Sequence, residues 1–272
     1  MTVCIAAICE AGKTIVLAAD TMISGEDLMI EYEFGTPKIK QLTNNCAVAA
    51  AGDATMETDL LRMVRQTISE LKAPSMDTIV EKTRRTYRAL RAKAIEDQIL
   101  IPHGLESMTK FYEAQKTMLE PMAKSIFNDI EEFDLDLDLL IASVDEEGGH
   151  ITVIEDPGTA TTWDELAYHA IGSGYAHADT SLIMRNYDPA CSLAEALLSV
   201  YTAKKAAEKA PGVGQKMTHM AIVNDHSVTM LTEEQVKQID VVYQEQTTEF
   251  RAWEKEKDWV SKLADLSSTL RS

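Results

Sequence analysis

Apolar positions come first in short unbroken runs and only later at helical spacing. Val3–Ile8 and Thr14–Ala19 are β-compatible runs joined by Glu10-Ala11-Gly12-Lys13, which predicts two paired strands. Ile39–Leu42 and Cys46–Ala51 repeat the arrangement around Thr43-Asn44-Asn45, and Gly52-Asp53 ends it. From there Leu61, Val64, Ile68 and Leu71 fall on one helical face. After Pro74-Ser75 a second helix follows, marked by Met76, Ile79, Val80, Tyr87 and Leu90. A loop at Pro102-His103-Gly104 leads into a third helical stretch reaching about Glu132.

Strand patterning then returns. Leu137–Val144 and His150–Ile154 flank a turn at residues 145–149, and a short run at Tyr168–Ile171 ends in Gly172-Ser173-Gly174. Helices are predicted over Tyr175–Arg185 and Ser192–Lys209, then a break at Pro211-Gly212-Val213-Gly214 and a last strand pair, Met217–Val223 and Ser227–Leu231. Thr232 with Gln235 has the form of a capping box opening a polar C-terminal helix that carries Trp253 and Trp259. Short links between strands require antiparallel pairing. The order β, α, β, α, β therefore predicts an α/β (α+β) chain: a four-layer αββα sandwich of two antiparallel sheets, with a helical insertion. Residues 1–231 form one domain in this reading and residues 232–272 a C-terminal helical extension packed on or between subunits.

Composition narrows the function. With 44 acidic against 26 basic side chains in 272 residues the formal charge is −18, which argues against nucleic acid as a partner. Cys4, Cys9, Cys46 and Cys191 show no metal-like spacing, and no stretch reads as a signal peptide or membrane span. The expectation is a soluble cytoplasmic protein with reduced thiols, no membrane partner, no cofactor and no metal.

Two features of the first twenty residues compete. Gly12-Lys13-Thr14 ends like a phosphate-binding loop, but the position that needs the first glycine is Ala7, inside a strand, and a strand follows. Thr2 lies directly behind Met1, before which trimming of the initiator methionine would leave a threonine with a free α-amine. With a pKa near ~7.7–8.0 such an amine can take the proton of its own hydroxyl, so one residue supplies nucleophile and base. Asp20 at the end of the second strand and Lys38 at the start of the next could meet near Thr2 if those strands are adjacent. The lysine would tune the amine and the aspartate would fix the lysine. Taken alone, the two could equally be a cross-strand ion pair.

Thr2, Ala18-Ala19-Asp20, Lys38, Ala51-Gly52-Asp53 before a helix and Ile171-Gly172-Ser173-Gly174 before another, in this order, resemble the proteasome β-subunit and HslV-like family of N-terminal-nucleophile hydrolases, a likeness extending from Thr2 to about Leu231. The resemblance implies the αββα fold of that family and hydrolysis of peptide bonds in peptides or unfolded proteins. It also implies a homo-oligomeric ring or stacked rings, with an unfolding ATPase as a further partner. In the implied scheme Thr2 attacks, its amine shuttles the proton, Lys38 tunes the charge and Asp20 orients Lys38. Ser173 bonds around the nucleophile, and the backbone N–H of Ala49 is the oxyanion donor. The chain departs from the family where an aspartate and a serine fall on Pro211 and Gly214, and in the lengths of Ile95–Glu132 and of the tail. A ring-forming scaffold without turnover and a small-molecule amide hydrolase are the alternatives.

Elsewhere, Ala47, Ala49 and Ala51 suggest room beside the site for a sizeable substrate side chain. Arg84, Arg85, Arg88 and Arg91 read as a salt-bridged helical face, and His169, His177, His219 and His226 as core or surface residues rather than metal ligands.

Overall fold

The structure is a computed structural model that describes residues 2–25, 30–33, 37–69, 71 and 74–256. One five-stranded antiparallel sheet contains β1 (Cys4–Cys9), β2 (Thr14–Asp20), β10 (Tyr168–Ile171), β11 (Thr218–Asn224) and β12 (Val228–Met230), in the order β10-β1-β2-β11-β12. A second contains β5 (Ile39–Thr43), β6 (Cys46–Gly52), β7 (Leu137–Asp145), β8 (Gly148–Glu155) and β9 (Thr159–Thr162), in chain order.

Alternation along the strands builds three cores. Cys4, Ala6 and Ile8 of β1 and Leu17 of β2 meet Ala47, Ala49, Leu140 and Ala142 between the two sheets. The other face of the first sheet, with Ile5, Ala7, Val16 and Ala18, is covered by α5 (Tyr175–Met184) and α6 (Leu193–Ala207). The outer face of the second sheet, with Val48, Leu139 and Ile141, is covered by α1 (Ala54–Ser69) and α2 (Met76–Ile95). The two-sheet sandwich read from the sequence is therefore present, with helices on both outer faces.

Caps explain where the helices start. Asp53 accepts from Thr55 N at 2.7 Å and Met56 N at 3.0 Å ahead of α1, and Ser192 and Glu195 form a reciprocal capping box on α6. The box expected at Thr232 forms: its N–H reaches Gln235 Oε1 at 2.8 Å, and Gln235 N reaches its hydroxyl at 3.3 Å. α7 (Glu233–Glu256) then packs Val236, Ile239 and Tyr243 onto the α6 side of the domain, and Tyr201 donates to Asp240 at 2.8 Å.

The sequence reading needs correction in four places. A hairpin of β3 (Met22–Gly25) and β4 (Ile30–Glu33) and the strand β9 were not anticipated, because both are short and lack an apolar run. The third helical stretch is two helices, α3 (Met108–Ala114) and α4 (Glu120–Glu131), around their own small core of Leu100, Phe111 and Ile126. Leu71 is exposed rather than on the core face of α1. Trp259 lies outside the described residues.

Candidate active site

The site forms where β1 begins and β2 ends. β1 and β2 pair antiparallel with Cys4 opposite Ala19, so Thr2 and Asp20 lie together at one end of the sheet. The Asp20 carboxylate is fully buried and held by main-chain donors: Val3 N at 3.1 Å on Oδ1, and Met22 N at 3.0 Å and Gly214 N at 2.8 Å on Oδ2. Charge-assisted bonds of this kind fix a carboxylate in one orientation.

Lys38 precedes β5 and arrives from the opposite sheet. Its Nζ donates to Asp20 Oδ1 at 2.9 Å and to Thr2 Oγ1, and Thr2 Oγ1 donates to Asp20 Oδ1. The two residues do meet at Thr2, but across the gap between the sheets and not on adjacent strands of one sheet, because β2 is flanked by β1 and β11. Burial pushes the Asp20 carboxyl up. The Lys38 charge and the bonds from Thr2, Lys38 and Gly214 outweigh burial and hold it below its ordinary 3.8.

Ser173 lies on the turn after β10. Thr2 N donates to Ser173 Oγ at 3.2 Å, and Ser173 Oγ lies 3.3 Å from both the Thr2 and the Pro211 carbonyls, to one of which its single proton goes. Gly174 N also donates to Thr2 O, at 3.1 Å. Gly172 makes this approach possible: its φ is +83°, and a Cβ there would stand 2.5 Å from Thr2 O.

Two expectations fail here. Ala49 is a strand-interior residue, opposite both Ile39 and Leu140 and fully buried, so its N–H belongs to the sheet ladder. Ala47, Ala49 and Ala51 likewise face the filled core between the sheets and leave no room for a substrate side chain. The end of β6 is different, because Ala50–Gly52 outrun the first residue of β5 and Gly52 is exposed. Gly52 is also obligatory, since a Cβ there would lie 1.9 Å from Asp136 O.

Sequence reasoning missed the part played by the Pro211–Gly214 segment, whose main chain supplies the polar contacts its side chains lack. Behind it lies Lys204, fully buried on α6. The readable signal was a lysine on the stripe formed by Ala196, Val200, Ala203 and Ala207.

The arginines and His169 singled out in the sequence are in structural contacts, whereas His219 Nδ1 is buried without a hydrogen-bond partner among the described residues. Arg84 and Arg85 bind Glu81, Arg91 binds Asp156 at 2.9 Å, and the Arg88 stem lies against Gly158. His169 stacks on Trp163 at 3.7 Å and lies 3.3 Å from Asp179. Among the described residues no group of three or more His, Cys, Asp and Glu could hold a metal ion, and no helix is long and apolar enough to cross a membrane. No protein-family model matches the chain, and no curated protein matches it.

Proposed function

We propose that this chain is an N-terminal threonine hydrolase of peptide bonds with the N-terminal-nucleophile fold, acting through Thr2 once Met1 has been removed. The observation that carries this reading is the Thr2 hydroxyl, buried between the Asp20 carboxylate and the Lys38 ammonium, with its own nitrogen on Ser173. A bare structural ion pair has no need of a hydroxyl at its centre.

In this scheme the freed α-amine, with a pKa near ~7.7–8.0, takes the hydroxyl proton through Ser173 or a water as the oxygen attacks the carbonyl carbon. The amine then returns that proton to the leaving nitrogen, and water hydrolyses the ester on Thr2. Lys38 stabilises the developing alkoxide, and Asp20 holds Lys38. The oxyanion donor moves from Ala49 to the open end of β6 at Ala50–Gly52, where main-chain N–H groups have an edge free of β5.

Ring assembly in the cytoplasm, with an unfolding ATPase as partner, belongs to the same proposal. Apolar side chains left on the surface, Ile183 and Met184 ending α5 and Val241 and Val242 on α7, support association alone; the compartment and the ATPase rest on the family resemblance. Light scattering should give a multiple of the 30.1 kDa chain, and a monomer at micromolar concentration would remove the ring. The scaffold alternative rested on Pro211 and Gly214. The contacts of their main-chain groups with Ser173 and Asp20 favour the active reading. Digestion of a peptide library by the purified protein tests the activity itself: cleavage lost in Thr2→Ala supports peptide hydrolysis, and no cleavage of any peptide by the native protein excludes it.

A further inference from the structure

Lys204 has no exposed surface, and its ammonium donates to Glu208 Oε1 at 2.6 Å and to the Gly214 carbonyl at 2.8 Å. Lys205 donates to the same Oε1 at 2.8 Å, so two cations share one carboxylate. Removing an ammonium from water is costly unless its partners repay it. A cation that only complemented the α6 C-terminus could do so from the surface, as Lys205 does. Burial brings Lys204 something Lys205 lacks, which is contact with Gly214.

Gly214 is the hinge of the arrangement. Its carbonyl is held by Lys204, while its N–H donates to Asp20 Oδ2 at 2.8 Å. Three residues earlier the Pro211 carbonyl lies 3.3 Å from Ser173 Oγ. One short segment thus touches two of the groups around Thr2, and the Lys204 ammonium pins its far end to α6.

We propose that Lys204 is a positioning residue: by holding the Gly214 carbonyl it keeps the Gly214 N–H on Asp20, and so keeps the Asp20 carboxylate turned toward Thr2 and Lys38. Its kinetic consequence rests on the hydrolase reading, whereas its effect on Asp20 does not. The groups that set the state of Asp20 are Lys38, the Thr2 hydroxyl and the N–H groups of Val3, Met22 and Gly214, with Lys204, Lys205 and Glu208 behind them. Asp20 in turn favours the charged form of Lys204, which burial lowers.

The test is Lys204→Met, which fills the same space and leaves Glu208 paired with Lys205. Two readouts are taken on the full-length protein: titration of the Asp20 carboxyl by carbon-13 NMR, and saturation kinetics of Thr2 modification by a threonine-directed electrophile. The Asp20 titration should move to higher pH. The limiting rate of modification should fall about tenfold with the half-saturating concentration changed less than about twofold, since positioning acts on the step after binding. An unmoved titration overturns the proposal, and so does a moved titration with an unchanged rate in a protein that reacts. If the wild type takes no label while the Asp20 titration still moves, the hydrolase reading fails and the positioning of Asp20 stands. Should Lys204→Met not fold, Lys204→Met/Glu208→Gln, which leaves no carboxylate without its buried partner, is read by the same two measurements.

Discussion

Lys38 Nζ and Asp20 Oδ1 meet at 2.9 Å across the gap between the two sheets, one side chain 13% and the other 0% exposed. The pair joins the sheets at the point where Thr2 lies. Replacing Lys38 by Met leaves a buried carboxylate with only its N–H donors and the Thr2 hydroxyl, and no cation, which should cost about 3 kcal/mol of stability in urea unfolding. Modification of Thr2 by an electrophile should slow by about 10²-fold or more per folded molecule. Unchanged reactivity would remove Lys38 from the chemistry.

The depressed Asp20 carboxyl sets the acid limb. Because its folded pKa lies below the unfolded value near 3.8, its contribution to stability is present above that pH and is lost as pH falls through the folded value. In Lys38→Met the loss should begin at higher pH, visible as an earlier fall of melting temperature on acidification.

Gly172 should tolerate no side chain. In Gly172→Ala the new Cβ would stand 2.5 Å from the Thr2 carbonyl on a backbone at φ +83°, so Thr2 must shift. The strain is about 1–2 kcal/mol, while a displacement near 1 Å is enough for about 10²-fold in rate. Rate should therefore fall far more than stability, as measured by labelling and by melting on the same sample.

The pattern of apolar runs made most of the sandwich legible, because Val3–Ile8, Cys46–Ala51 and Leu137–Val144 are long, buried and closed by clear turns. Strand order was not legible. Nothing local in Lys38 tells whether its strand joins β2 or the opposite sheet, and that choice depends on contacts far apart in sequence. Thr2, Asp20 and Lys38 were put forward on residue type and spacing, and Ser173 only on the family resemblance. Gly214 and Pro211 act through main-chain atoms that every residue carries, so their side chains misled. Ala49 failed because strand pairing on both sides was not foreseen.

Asp138 is the second residue of β7 and has four acidic neighbours. Burial, then Glu155, Asp134, Asp136 and Asp156, push its carboxyl up to about 6 from 3.8. A raised carboxyl favours the folded state fully below 3.8, and this is lost as pH rises through about 6. Asp138→Asn should therefore raise the melting temperature at pH 7.5, by about 2–4 °C per kcal/mol relieved, and flatten its dependence between these two values. An unchanged profile would contradict the shift.

His150 bridges Asp164 at 2.7 Å and Asp145 at 3.0 Å. Burial pulls its pKa down, but bonds and charges from the two carboxylates outweigh this and raise it above 6.5. The bridge thus adds stability below 6.5 that is lost as pH rises through the folded value. In His150→Gln the fall of melting temperature above neutral pH should shrink, and an identical slope would count against the bridge.

The central claim is that Thr2, freed of Met1, is a nucleophile. Intact mass followed by peptide mapping, after exposure of the native protein to a threonine-directed electrophile, tests it most directly. The predicted result is a chain lacking Met1 with one adduct on Thr2 that Thr2→Ala does not take. A chain that keeps Met1, or equal labelling of Thr2→Ala, would contradict it.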